Sequence, residues 1–241
     1  MGNRRSSNAV TTRDKDGFII SPGKGSRRTE LGAGTTENLA RGLEILECFD
    51  GSGDRQDIAQ ISKKIGLPKN SASRFAYTLI TLGYLNYDES DKTYGLGVNL
   101  LVLARPLLSR SGIINVLRPI MENLAEEFRC TVAIGQPADS SMIYINVVRG
   151  INRVGLDIGV GHTVPIASSA MGRAYLTTLD DTERNEVQKR LVQQSGVNET
   201  KLRSIIKDAK RSMAEVSYCT TLGEVHPDVN AAAVPLIVPG Q

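Results

Sequence analysis

Between residues 66 and 83 the apolar side chains Ala72, Phe75, Ala76, Leu79, Ile80 and Leu82 return at three- and four-residue steps. Asn70, Ser71, Ser73, Arg74, Tyr77 and Thr81 fall on the other side of the same period, so the pattern predicts a helix with one packed and one outward face. Pro68 opens it where a missing N–H costs least, and Gly83 is placed to stop it. Upstream, Leu39, Leu43, Leu46 and Phe49 predict a helix over 36–49 with Thr36 or Asn38 as its cap. A Gly51-Ser52-Gly53-Asp54 turn follows, then a second helix that carries Ile58, Ile61, Ser62 and Ile65 inward behind Asp54 or Asp57. With Gly66-Leu67-Pro68 as a tight connection, the arrangement is helix, turn, helix. Beyond Gly83 the period falls to two. Residues 84–87 and 93–96 flank Asp88-Glu89-Ser90-Asp91-Lys92 and predict a two-stranded hairpin, a wing.

Leu100, Leu101, Val102, Leu103, Leu107 and Leu108 are apolar on more than one face, which predicts a linker helix over 98–112. It is either a dimer seam or an ordinary core helix, because periodicity does not say which partner covers an apolar face. A cleaner stripe of Leu117, Ile120, Met121, Leu124 and Phe128 predicts a helix over 113–128. Strands are expected at 131–135, 142–148 and 153–158, a long turn over 159–165, and a helix over 168–176 with hydroxyl groups at its start. Helices over 181–193 and 199–216 and a buried strand over 229–238 complete the pattern. The expected class is α+β: a winged helix-turn-helix over 36–97, the linker over 98–112, and an antiparallel sheet with helices over 113–241. Residues 1–35 show no periodicity and predict a disordered basic arm, either a solvated tail or a DNA contact.

The net charge of +3 is modest, yet residues 1–30 and 55–82 each carry +4, and such concentrated charge points to an anionic polymer as partner. The outward face of 66–83 is polar and cationic with no carboxylate, as a helix in a DNA major groove requires. Lys69, Asn70, Ser71 and Ser73 are the candidate groove contacts. Arg74 is a guanine contact, a phosphate clamp or an intrahelical partner. Arg41 is the one candidate contact on the first helix, and Lys92 and Thr93 are those on the wing. Cys48, Cys130 and Cys219 have no paired spacing, so no disulfide framework or zinc site is expected, and a reducing compartment, the cytoplasm, fits. No signal peptide, membrane span or membrane partner is expected. His162 and His226 stand apart from other ligating groups and Cys219 lacks an oriented base, so no catalytic set, metal or cofactor is predicted.

These residues resemble the IclR family of bacterial transcription regulators. The resemblance is carried by Leu39-Ala40-Arg41-Gly42-Leu43-Glu44-Ile45-Leu46, by Gly66-Leu67-Pro68-Lys69-Asn70-Ser71 leading to Arg74 and Leu79, by Leu82-Gly83-Tyr84-Leu85, and by Tyr94-Gly95-Leu96-Gly97. Gly161-His162-Thr163-Val164-Pro165-Ile166-Ala167-Ser168-Ser169-Ala170-Met171-Gly172-Arg173-Ala174 and Ala231-Ala232-Ala233-Val234-Pro235 carry it in the second half. It implies a winged helix-turn-helix joined by a linker helix to a GAF-like domain. That domain would bind a small, often acidic effector and tune binding of operator DNA by dimers or dimers of dimers. A Ser-Ser helix start is by itself either a cap or a carboxylate site. The resemblance favours an effector site at Ser168, Ser169, Ala170, Met171 and Gly172, with Tyr144, Asn146, Tyr218 and Thr221 around it. The family's last strand and closing helix have no counterpart after 231–235, so the second domain is expected to be incomplete. Two alternatives stand beside this reading: a DNA-binding dimer that no longer senses a ligand, and a small-molecule enzyme on the same fold.

Overall fold

A computed structural model describes residues 36–49, 55–109, 112–150 and 158–237. The predicted arm at 1–35, the turn at 51–54 and most of the strand predicted at 153–158 lie outside the described residues. The chain falls into two compact units that meet between Gly112 and Ile113.

The first unit opens with α1 (Glu37–Leu46), which is shorter than its apolar period predicts; Thr36 holds the cap position without a side-chain cap bond. Past Leu46 the backbone turns, and the Cys48 carbonyl accepts from Gln56 Nε2 at 2.6 Å and Lys64 Nζ at 2.8 Å. Gln56 belongs to β1 (Arg55–Asp57), a strand the sequence did not announce. Asp57 then caps α2 (Ile58–Ile65) in a reciprocal box with Gln60, and Gly66 ends it in the left-handed conformation. Helix α3 (Lys69–Thr81) follows Pro68 and buries Ala72, Ala76 and Leu79. The hairpin of β2 (Leu85–Asp88) and β3 (Thr93–Leu96) takes β1 against β3, giving an antiparallel sheet of order β1-β3-β2. Ile45, Ile61, Ala72, Ala76, Leu79 and Leu85 meet in one core.

Helix α4 (Asn99–Ser109) starts where three segments cross closely. A Cβ on Gly97 would stand 2.1 Å from the Gly83 carbonyl oxygen, and Gly83 itself has a φ of +74°. Gly97 N–H bonds the Tyr84 carbonyl at 2.8 Å, and Asn99 Nδ2 bonds the Leu82 carbonyl at 3.1 Å. The end of α3, the end of β3 and the start of α4 are therefore held together.

The second unit begins with α5 (Gly112–Glu127) and a long antiparallel pair, β4 (Thr131–Ala138) and β5 (Ser141–Arg149). Pro137 and Ala138, expected in the turn, are strand residues opposite Met142 and Ser141. A second correction concerns 159–165: Thr163–Pro165 is strand β6, paired with Ile143, Met142 and Ser141. Three residues with a glycine-rich lead and a terminal proline carry no visible alternation, and only the partner strand fixes them.

Helices α6 (Ala170–Thr178), α7 (Asp181–Ser195) and α8 (Glu199–Val216) follow, with Ser169, Asp180 and Asn198 as side-chain caps. The core gathers Met142, Val164, Ile166, Leu176, Leu191 and Leu202. Strands β7 (Cys219–Leu222) and β8 (Asn230–Ala233) form a separate ladder. The buried strand expected over 229–238 is only these four residues, and they are mostly exposed. Apolarity marked the segment, but only Ala233 of β8 packs inward, against the small buried cluster of Ala174, Ala209 and Cys219.

Candidate nucleic-acid interface

Helix α3 has no acidic residue, and its buried stripe turns Lys69, Asn70, Ser71, Ser73 and Arg74 to the other side. Lys69, Asn70 and Arg74 are exposed, and Ser71 and Ser73 half-exposed. No side chain among the described residues pairs with any of the five. Proximity to phosphate therefore costs them no internal bond. Thr78 and Thr81 differ, since their hydroxyls donate to the Arg74 and Tyr77 carbonyls at 3.1 and 2.9 Å.

Arg41, predicted as a contact, is not available for one. It is 5% exposed and lies between Glu44 at 2.7 Å and Glu37 at 3.0 Å on its own helix. The Glu44 hydrogen bond outweighs desolvation and holds the guanidinium above its ordinary range. The spacing was legible: carboxylates four residues before and three after an arginine form such pairs on a helix.

Thr93, predicted on the wing, is likewise engaged. Its hydroxyl accepts from Arg55 Nε at 2.7 Å and donates to Asp91 Oδ1 at 2.5 Å. Arg55 crosses the sheet over Gly95 to reach Asn86 Oδ1 at 2.8 Å, a contact between residues 31 apart that local sequence does not reveal. Lys92 is exposed at the tip in the left-handed region, with Asp88, Glu89 and Asp91 as tip neighbours. Asp88 accepts from the Ser90 hydroxyl at 2.6 Å, and this bond pulls its carboxyl below the usual range.

Between α3 and the hairpin lies a cleft of about 550 Å³. Ser73, Arg74 and Tyr77 line one wall, and Tyr87 and Tyr94 the other. Tyr87 and Tyr94 are a tilted pair with ring centroids 4.9 Å apart. Burial raises the Tyr94 phenol above its ordinary pKa, with Tyr87 adding to the shift.

In the second unit the α6 start is closely packed. Ser169 is buried, and its Oγ accepts the Gly172 N–H at 3.1 Å. A Cβ on Gly172 would stand 2.2 Å from the Ile166 carbonyl oxygen, so only glycine fits there. Ala170 is buried, Ser168 half-buried, and Met171 packs with Tyr144 against the main core. Burial raises the Tyr144 phenol above its ordinary pKa. Asn146, two residues along β5, has a buried Oδ1 that no donor among the described residues reaches. Thr221 is buried, whereas Tyr218 is 42% exposed just past the end of α8.

Arg173 on α6 is a structural tie that its place in the sequence does not reveal. Its Nη1 bonds the Thr220 carbonyl at 3.0 Å and its Nη2 bonds Glu224 at 2.5 Å, which ties α6 to β7. Among the described residues no group of three or more His, Cys, Asp or Glu is placed to hold a metal, and no single helix is long and apolar enough to cross a membrane.

Two family models match the chain: the IclR helix-turn-helix domain over residues 38–89 and the bacterial transcriptional regulator IclR C-terminal domain over residues 106–237. A curated relative, the HTH-type transcriptional regulator TsaQ1/TsaQ2 of Comamonas testosteroni, is 30% identical over 213 residues, covering 88% of this chain and 76% of the relative. The chain spans 51% and 57% of the length of two further curated relatives. A solved IclR family transcriptional regulator from Brucella abortus is 34% identical with a TM-score of 0.75, covering 88% of this chain and 80% of that one. An IclR homolog from Microbacterium hydrocarbonoxydans, solved with 4-hydroxybenzoate, has the same fold at 21% identity and a TM-score of 0.63, covering 84% of each chain. The chain belongs to the IclR family and is a DNA-binding transcriptional regulator of that type.

Proposed function

We propose that this regulator reads operator DNA with Lys69, Asn70, Ser71, Ser73 and Arg74 of α3. The observation that carries the reading is that all five stand without a protein partner on a helix free of carboxylates. The short polar groups face base edges, and the two cations face phosphate or guanine. The test is to let the full chain select duplexes from a random-sequence pool, then measure Kd by fluorescence anisotropy. One enriched sequence, with affinity falling steeply in salt as counterions leave neutralised phosphates, is the expected result. A chain that enriches no sequence ends the reading.

The regulator acts as a homodimer or dimer of dimers in the cytoplasm and is no enzyme. The exposed side chains Leu39 and Leu43 on α1, Leu101 and Val102 on α4, and Val116 and Ile120 on α5 support assembly, since apolar faces of this extent favour cover. Sedimentation at two or four times the chain mass of 26.1 kDa is expected.

The second unit holds a small carboxylic acid that shifts operator affinity. No acceptor among the described residues reaches the N–H groups of Ala170 and Met171, which point from a helix start toward where an anion is favoured. The homolog solved with 4-hydroxybenzoate supports this ligand class. If a ligand changes DNA affinity, DNA changes ligand affinity by the same factor. Thermal melting with 4-hydroxybenzoate and other small carboxylic acids checks the site, since ligand at a hundred times its Kd adds about 2.7 kcal/mol of stability. The rival reading, a dimer that senses nothing, draws on the Ser169 hydroxyl being engaged within α6. It predicts no shift with any acid.

A further inference from the structure

The cleft between α3 and the hairpin is open, aromatic and without a carboxylate in its lining. The Tyr77 ring is 71% exposed on α3, and Tyr87 is 42% exposed on β2. No acceptor among the described residues takes the hydroxyl of Tyr77, Tyr87 or Tyr94. Arg74 supplies an unpaired guanidinium at the same place. Half-buried Tyr94 packs on the unit's core and backs the Tyr87 ring at 4.9 Å, so one wall of the cleft is fixed.

We propose that this cleft seats the sugar-phosphate backbone of one DNA strand, with Tyr77 and Tyr87 donating hydrogen bonds to successive phosphates. This rests on the reading that α3 enters the major groove. A helix in the major groove has a DNA strand along its flank, and the cleft lies on the flank of α3 that faces the hairpin. Charge agrees with the assignment. Arg74 meets the phosphate, phenol groups donate without repelling it, and aromatic faces cover the sugar.

The hairpin tip does not compete for this role. Asp88 and Asp91 are held there as acceptors for Ser90 and Thr93, and Glu89 adds a third carboxylate. The hairpin therefore meets DNA with its tyrosine flank and keeps its acidic tip away from phosphate. Lys92 and Thr93 are displaced from the contact role that the sequence gave them.

The experiment uses the full chain and a duplex that the wild-type protein has selected from a random pool. Tyr77→Phe and Tyr87→Phe remove one oxygen each and leave the rings in place. Each is expected to raise Kd about tenfold, and both together about a hundredfold, with unchanged melting temperature. The salt slope stays constant, because no cation is lost. Phosphate ethylation on one strand blocks wild-type binding at adjacent positions, and this interference fades in the double variant. If wild type binds its duplex and both phenylalanine variants bind it equally well, the cleft assignment is wrong while the DNA reading stands. If wild type selects no duplex, the DNA reading fails first and the assignment with it.

Discussion

Asn70-Ser71-Ala72-Ser73 and Ser168-Ser169-Ala170 look alike in one dimension: small hydroxyl-bearing residues at the start of a helix, with alanine among them. In three dimensions they are opposites. Helix α3 follows a Pro68 cap that offers no side-chain bond, and the Ser71 and Ser73 hydroxyls at its start have no partner among the described residues. Helix α6 is capped by Ser169, and Gly172 is pressed to within a methyl group's reach of Ile166. The difference is what lies behind each helix start. Open solvent leaves a hydroxyl available for a partner, and a packed core turns it into a structural bond. Residue type alone therefore says little about a polar helix start until its cover is known.

The widest separation between the two regions is expected from Gly172→Ala. The added methyl meets backbone atoms of Ile166 at 2.2 and 2.4 Å. It lowers the second unit's stability by about 3 kcal/mol, read from urea unfolding, and an unmoved midpoint would contradict the close approach. Arg74→Ala comes next: Kd for selected DNA rises about thirtyfold and the salt slope falls by about one, with melting unchanged. Arg41→Ala makes the reverse separation. It lowers stability of the first unit by about 2 kcal/mol, seen in thermal melting, and leaves DNA affinity of the folded protein unaltered. The finest contrast is between two serines. Ser169→Ala costs about 1 kcal/mol of stability through the lost cap, whereas Ser73→Ala leaves melting unmoved and raises Kd about threefold. Equal behaviour of the two serines would erase the distinction between the helix starts.

Period carried most of the helices. The stripe over 199–216 coincides with α8, and that over 113–128 matches α5 to within a residue at each end. Where an element depends on a distant partner, the sequence is silent. Strand β1 is charged, polar and charged, and its inward Gln56 is tolerated because the Cys48 carbonyl takes its amide. Strand β6 exists through pairing with β5. In the candidate interface the absence of carboxylates on α3 was plain from its letters, and so were the carboxylates that withdraw Arg41. The engagement of Thr93 by Arg55 was not, nor was the cleft that brings Tyr77 near Tyr87, because both join segments separated by intervening strands or turns.

The crossing at Gly83 and Gly97 has a mechanical meaning. Leu82, the C-cap of α3, has its carbonyl bonded by Asn99, the first residue of α4, and the backbones at Gly83 and Gly97 cross too closely to admit a side chain. The start of α4 is therefore fastened to the end of α3 through one amide bond and one close backbone crossing.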